Sequence, residues 1–186
     1  MAADLTLIRG GLLVLPDGAR QGDLLIEGDR IAAAGGALDA SGAAVVDASG
    51  CTVLPGAIDT HTHFDLPVSG TVTADDFASG TRAAVLGGTT AVLDFATQEK
   101  GGTLQEAYEV WRGRMEGKAH CDVGFHMAVT DWNERTSAEL SRMEALGITS
   151  FKLYLAYPAL MVEDDAVYAA LLRIREVGGI AGFHCE

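Results

Sequence analysis

Two histidines one residue apart, His61 and His63 in the run Asp59-Thr60-His61-Thr62-His63, carry the sharpest chemical signal in the chain. On an extended backbone, residues i and i+2 project to the same side, so the two imidazoles converge on one point. At the carboxyl end of a strand such a pair is half of a divalent-metal site. The plain alternative is two alternating core or surface histidines, and an isolated H-x-H does not separate the two. Lys152 lies inside the apolar run SFKLYLAY. A lysine buried beside cations is driven toward its neutral amine by desolvation and like charge. A neutral amine can add carbon dioxide to give an anionic carbamate, whose two oxygens can reach two metal ions. The competing reading is a lysine snorkelling from a strand end. His184, closing GIAGFH, is a third candidate ligand or else a core histidine. Tyr157, in LAYP, is a candidate donor to a developing oxyanion or an aromatic wall.

The remaining chemically capable residues read as structural. His120 precedes a strand and His126 sits within one. Cys51, Cys121 and Cys185 show no spacing that demands a thiolate nucleophile. Trp111 and Trp132 read as packing residues. Glu163-Asp164-Asp165 is the acidic first turn of a helix, where negative charge is favoured.

These residues have to be positioned by something, and the chain after Pro55 alternates strand with helix. Strands are expected at 52–58, 89–95, 122–129, 149–155 and 179–184. Helices are expected at 75–86 capped by Thr73, at 104–116 capped by Thr103 with Glu106 completing a capping box, at 137–146 capped by Thr136, and at 164–177. Terminal glycines at 87–88, 117, 147 and 178–179 agree with those ends. Strict alternation implies a parallel sheet. No G-x-G-x-x-G or P-loop pattern opens a helix, which favours a barrel over a nucleotide-binding doubly wound sheet. Before Pro55, short β-type runs at 5–8, 12–15, 23–27, 30–34 and 44–46 are separated by turn residues at Asp17-Gly18 and Gly28-Asp29. The expected fold class is therefore α/β. Residues 1–54 form a small antiparallel β module, and residues 55–186 form the first five strands of a (β/α)8 TIM-type barrel.

Composition closes off other classes. Of 186 residues, 48% are hydrophobic, against the signature of disorder. Asp and Glu number 26 against 13 Lys and Arg, a net charge of −13 that would be repelled by nucleic-acid phosphates and by anionic membrane surfaces. Three widely spaced cysteines do not make a disulfide framework and fit a reducing compartment. The start MAADLTLIRGG lacks the apolar core of a signal peptide, and no window reaches the length of a membrane span. The expectation is a cytoplasmic protein.

Taken in order, GAIDTHTHFDLPVSGTVTADDF, GGTTAVLDFA, CDVGFHMAV, SFKLYLAY and GFHCE resemble the amidohydrolase superfamily, and within it the D-hydantoinases and dihydropyrimidinases. The N-terminal LIRGG…IEGDRI pattern is similar to the small β-sandwich domain of those enzymes. The resemblance implies two divalent metal ions, zinc in the family. His61 and His63 would bind one ion, Lys152 as N-carboxylysine would bridge both, and His184 would bind the second. Tyr157 would polarise the carbonyl of a small cyclic diamide during hydrolysis of its ring amide. It also implies a homo-oligomeric parent, a dimer or tetramer. The family needs a further histidine after strand six and an aspartate after strand eight. Neither lies before Glu186, and a closed barrel takes roughly 250 residues. The expectation is thus the first part of a longer enzyme, inactive alone, with open strand edges. Dihydroorotases and many allantoinases carry an arginine two residues after the second histidine. Here that residue is Asp65, an anion expected to disfavour an anionic substrate, while Phe64, Leu66 and Val68 offer an apolar wall. The alternatives are a dihydropyrimidinase-like assembly protein without catalysis, and an allantoinase- or dihydroorotase-type enzyme.

Overall fold

Two apolar runs, Leu5–Ile8 and Leu12–Leu15, joined through Arg9-Gly10-Gly11, form one long strand, β1 (Leu5–Leu15), instead of the two short ones expected. The computed structural model describes residues 4–39, 41–68 and 70–186. Its chain divides into two compact units, Met1–Pro55 and Gly56–Glu186.

In the first unit β1 is followed by β2 (Gly18–Glu27), β3 (Arg30–Gly35), β4 (Ala44–Asp47) and β5 (Thr52–Val53). The sheet order is β3-β2-β1-β4, with β5 also on β1. Turns at Pro16-Asp17 and Gly28-Asp29 make β2 and β3 antiparallel hairpin partners. The first of these lies one residue earlier than the expected Asp17-Gly18. β4 and β5 run parallel to β1, so the sheet is mixed where a wholly antiparallel one was expected. β1 stays continuous by means of a bulge, its register on β2 jumping from Ile8↔Leu24 to Gly11↔Gly22. Gly10 takes φ +73° there, a left-handed conformation that suits glycine. Its N–H, displaced from the ladder, donates to Asp23 Oδ1 at 2.8 Å, and Asp23 Oδ2 accepts Leu38 N–H at 3.0 Å. Asp23 is buried on this pair of bonds.

The second unit contains β6 (Ala57–Thr62), the two-residue strands β7 (Pro67–Val68) and β8 (Thr71–Val72), α1 (Phe77–Leu86), β9 (Thr89–Thr97), α2 (Leu104–Met115), β10 (Asp122–Val129), α3 (Glu134–Ala145), β11 (Ser150–Tyr154), α4 (Asp164–Glu176) and β12 (Ile180–His184). β7 and β8 pair with each other. The others form one parallel sheet in the order β12-β11-β10-β9-β6. Every helix-linked strand lies beside the next one in sequence. A doubly wound sheet would reverse that order at a switch point; this one does not, and the result is a barrel-type arc of five strands. Phe77, Leu104, Met127, Leu140, Met143, Phe151, Leu153 and Ile174 form its core, each at most 2% exposed. On the edge strands, Ile58 and Ile180 are exposed.

Local signals were right about where helices stop and less so about where they start. Thr103 caps α2, and its hydroxyl and Glu106 form the reciprocal capping box. α1 begins two residues later than expected, and its cap is Asp76, which accepts from Ser79 N–H. Thr73 instead bonds the N–H of Leu66 with its hydroxyl oxygen. α3 begins three residues earlier than expected, capped by Asn133 accepting from Thr136 N–H, so Thr136 lies inside the helix. The expected strand 52–58 is two strands, β5 in one unit and β6 in the other, and the H-x-H segment is the end of β6 itself.

Candidate active site

β6 does not run straight into the histidine pair. Its register on β9 passes from Asp59↔Val92 to Thr62↔Asp94, one extra residue on the β6 side. This is a β-bulge, a device that re-aims side chains beside functional sites. Asp59 Oδ1 accepts the N–H of His61 at 3.0 Å across it. The rings of His61, within the bulge, and His63, just past it, meet edge to face, centroids 5.1 Å apart at 78°.

The floor of the cluster is Phe95 of β9, whose centroid lies 4.7 Å from that of His61 and 4.8 Å from that of His63. Lys152 of β11 places Nζ 5.9 Å from the same ring. Phe95 thus gathers His61, His63 and Lys152 from two strands that do not touch. Burial holds His63 below the ordinary imidazole pKa, with the charges of His61 and Lys152 adding to the effect and Asp94 opposing it. The neutral imidazole is the form that binds metal.

His184 and Tyr157 form a second group. Register pairs Tyr154 with His184, and their ring centroids are 6.0 Å apart. Tyr157 stacks obliquely on His184 at 5.1 Å. Its backbone is left-handed, φ +66°, a conformation costing a non-glycine residue roughly 1–3 kcal/mol and concentrated at functional sites. Its hydroxyl donates to Glu186, which also contacts His184 Nε2 at 3.2 Å. Hydrogen bonding to the Glu186 carboxylate raises the phenol's pKa, and Tyr157 with His184 lowers that of Glu186. Tyr154 joins the groups, its ring 5.6 Å from Lys152 Nζ.

No three His, Cys, Asp or Glu side chains among the described residues are grouped tightly enough to hold an ion by themselves. The donor set nevertheless suits a metal. Nδ1 of His63 is buried with no hydrogen-bond partner among the described residues, which is costly for a polar atom. Two imidazoles, a lysine amine and a third imidazole line the same carboxyl edge.

A cavity of about 730 Å³ opens over this edge, lined by His63, Leu66, Val68, Trp111, Tyr154, Tyr157 and Leu160 among others. Small-molecule sites fall in this size range. Three loops contribute, through Leu66, Glu99 and Leu160 among others. Lys100 lines the cavity and donates to the carbonyl of Pro158 at 3.0 Å, tying two of the loops together. Asp65 is not among the lining residues. It takes φ +51°, accepts Phe77 N–H through its carboxylate at 3.2 Å and Arg114 Nη1 through its carbonyl at 2.8 Å. It shapes the turn after His63, its carboxylate bonded to the start of α1. His126 bonds Ser150 and the carbonyl of Thr60, and the backbone N–H of His120 donates to Thr81. Sequence reasoning passed over Asp94, Phe95, Tyr154 and Glu186. Asp94 was readable as the one charge in the apolar run TTAVLDFA.

Strand order, helix placement and a histidine pair at a strand's carboxyl end define a partial α/β barrel with its candidate site on the carboxyl edge. The Amidohydrolase family matches residues 52–185, and the chain belongs to that family. It is 44% identical to a D-hydantoinase of Geobacillus stearothermophilus over 97% of this chain and 39% of that one. Against a dihydropyrimidinase of Rattus norvegicus it is 43% identical, over 97% of this chain and 36% of the other. The crystal structure of dihydropyrimidinase from Brevibacillus agri NCHU1002 superposes with a TM-score of 0.94 at 42% identity, covering 98% of this chain and 40% of that one. The chain therefore spans about two fifths of the length of the relatives it matches.

Proposed function

We propose that the protein carrying these residues hydrolyses the ring amide of a small cyclic diamide, a hydantoin or a dihydropyrimidine. The observation that carries the reading is the convergence of His61, His63 and Lys152 on Phe95, with His63 also lining the cavity. Two divalent ions, zinc by donor type, would be held by His61, His63, Lys152 as its carbamate, and His184. When bound, they supply Lewis acidity and an activated water.

The chain's own residues supply binding and orientation. Burial keeps His63 neutral, Phe95 fixes the ring directions, and Leu66, Val68 and Leu160 offer an apolar wall to a ring substituent. Tyr157, whose hydroxyl donates to Glu186 in this structure, would turn that one donor to the substrate carbonyl as charge builds on its oxygen. We read the first unit's sheet as part of a small β-sandwich, the exposed edges of β6 and β12 as the places where the rest of a barrel continues, and the parent as a cytoplasmic homo-oligomer. Among the described residues, no helix is long and apolar enough to cross a membrane.

The test is metal content and turnover of the full-length protein on hydantoin and dihydrouracil. The expected result is about two zinc ions per chain, with His61→Ala losing most activity and lowering metal content. A His61→Ala protein with full metal and normal turnover would refute the ligand assignment.

A further inference from the structure

A bulge interrupts the hydrogen-bond ladder, and the polar groups it displaces must find partners elsewhere. Following those groups through the end of β6 leads to two side chains that touch neither the cavity nor a candidate ligand's donor atoms. The carbonyl of Thr60 accepts from His126 Nε2 at 2.8 Å. Nε2 therefore carries the ring proton, and Nδ1 is the acceptor for the Ser150 hydroxyl. Past the bulge, the N–H of Phe64 donates to Asp94 Oδ2 at 2.8 Å, and the Thr62 hydroxyl lies 3.1 Å from the same oxygen. Asp94 Oδ1 accepts from Phe95 N–H at 2.7 Å. Thr60 and Phe64 bracket both histidines.

We propose that Asp94 and His126 are the positioning residues of the His61/His63 pair, holding the bulged end of β6 from opposite faces of the sheet. His126 stacks on Phe95 at 4.8 Å, on the face that carries the imidazoles. Asp94 immediately precedes Phe95 on β9, so its side chain leaves the opposite face. Asp94 is 1% exposed, and no Lys or Arg among the described residues forms an ion pair with it. A buried carboxylate without a counter-charge is costly. Here its acceptor capacity goes to the segment that carries His63 and to its own strand. Ladder pairing joins β6 to β9 at Ala57, Ile58 and Asp59, with a register shift between Ala57 and Ile58. The clamp acts past that point, where Phe95 supports the rings and the ladder resumes only at Thr62.

The inference rests on the reading of His61 and His63 as metal ligands, and the experiment separates the two. Full-length protein is compared with its Asp94→Asn, Thr62→Val, His126→Leu and His126→Gln variants. Ile174→Val, in the α4 core, serves as a stability control. Zn²⁺ affinity is measured by chelator competition well below the melting temperature, and hydrogen exchange is followed on a peptide spanning residues 60–66. Asp94→Asn and His126→Leu are expected to weaken Zn²⁺ binding about ten- to a hundredfold, the usual effect of removing a group that orients a ligand. Exchange in residues 60–66 should rise in both. His126→Gln, which keeps an N–H for Thr60, should recover part of the loss, and Ile174→Val should move neither readout. Should Asp94→Asn not fold, Thr62→Val removes one partner of the same oxygen and decides in its place. A folded clamp variant with zinc affinity within about twofold of the parent overturns the proposal. If the unsubstituted protein takes up no zinc, the metal reading fails. Exchange in residues 60–66 then decides the clamp alone: unchanged exchange in Asp94→Asn and His126→Leu overturns it.

Discussion

The hydroxyl of Tyr157 and the carboxylate of Glu186 stand 2.5 Å apart, and the same carboxylate oxygen reaches His184. A phenol bonded to an anion stays protonated further into alkali, which is the state a hydrogen-bond donor needs. Tyr157→Phe in the full-length protein is expected to lower kcat by about a hundred- to a thousandfold, with little change in KM, because the bond strengthens in the transition state. Steady-state kinetics decide the matter: an intact kcat with a raised KM makes Tyr157 a wall of the cavity and nothing more.

Lys152 and two imidazoles share the ring of Phe95. Lys152→Ala is expected to abolish turnover, and short carboxylic acids added to that variant should restore a fraction of it by replacing the carbamate oxygens. Carbamate formation needs the neutral amine, so metal loading should be poorer in acid. Intact-mass or density data showing an unmodified lysine in active, metal-loaded protein would remove the carbamate from the scheme.

Asp23 gives the first unit an acid-sensitive joint. Backbone N–H bonds from Leu38 and Gly10 hold its pKa below the ordinary carboxylate value. A depressed folded pKa contributes stability that is present above the unfolded value, about 3.9. That contribution is lost as pH falls through the folded value. Exchange at the Gly10 and Leu38 amides should therefore accelerate as pH drops below about 4 after correction for intrinsic rates. Asp23→Asn should make the acceleration disappear. A variant with the same acid profile as the parent would contradict the assignment.

Gly80 of α1 faces the ring of Phe64, where an added Cβ would lie 2.1 Å from Cε1. Phe64 is buried and follows His63 directly. Gly80→Ala should cost about 1–3 kcal/mol through overpacking, and the displaced ring should also loosen the histidine pair and reduce bound zinc. Calorimetry with metal analysis checks both parts. Unchanged zinc in a destabilised variant would confine the effect to packing.

The ligand candidates could be seen in the sequence because polar residues stand out against apolar strands. His61 and His63 mark the carboxyl end of β6, His184 ends β12, and Lys152 stands in the middle of β11. The bulge that aims them could not be seen, since it exists only relative to β9 and a single strand does not show its partner's register. The same limit hid the direction of β4 and β5, which is set by pairing with β1. Helix starts failed where two capping residues lay within three positions, Thr73 with Asp76 and Asn133 with Thr136; the backbone geometry of the preceding loop chose between them. Asp65 looked like a pocket anion because it follows His63 by two. Its left-handed backbone turns the side chain toward α1, which spacing alone does not reveal.

Because each large strand of the second unit lies beside the one made before it, the sheet can be assembled in the order of synthesis. β9 closes on β6, β10 on β9 through pairs such as Ala91 and Asp122, then β11 and β12 in turn. A newly released strand meets an edge already built, so at each stage only one side of the sheet is growing. A partly made parallel sheet is prone to association through such an edge, and the exposed Ile180 on β12 shows what a waiting edge presents. Pulse-labelled exchange on stalled nascent chains should find protection spreading from β9 toward β12. Protection appearing first in β11 and β12 would mean that the sheet condenses from the other side.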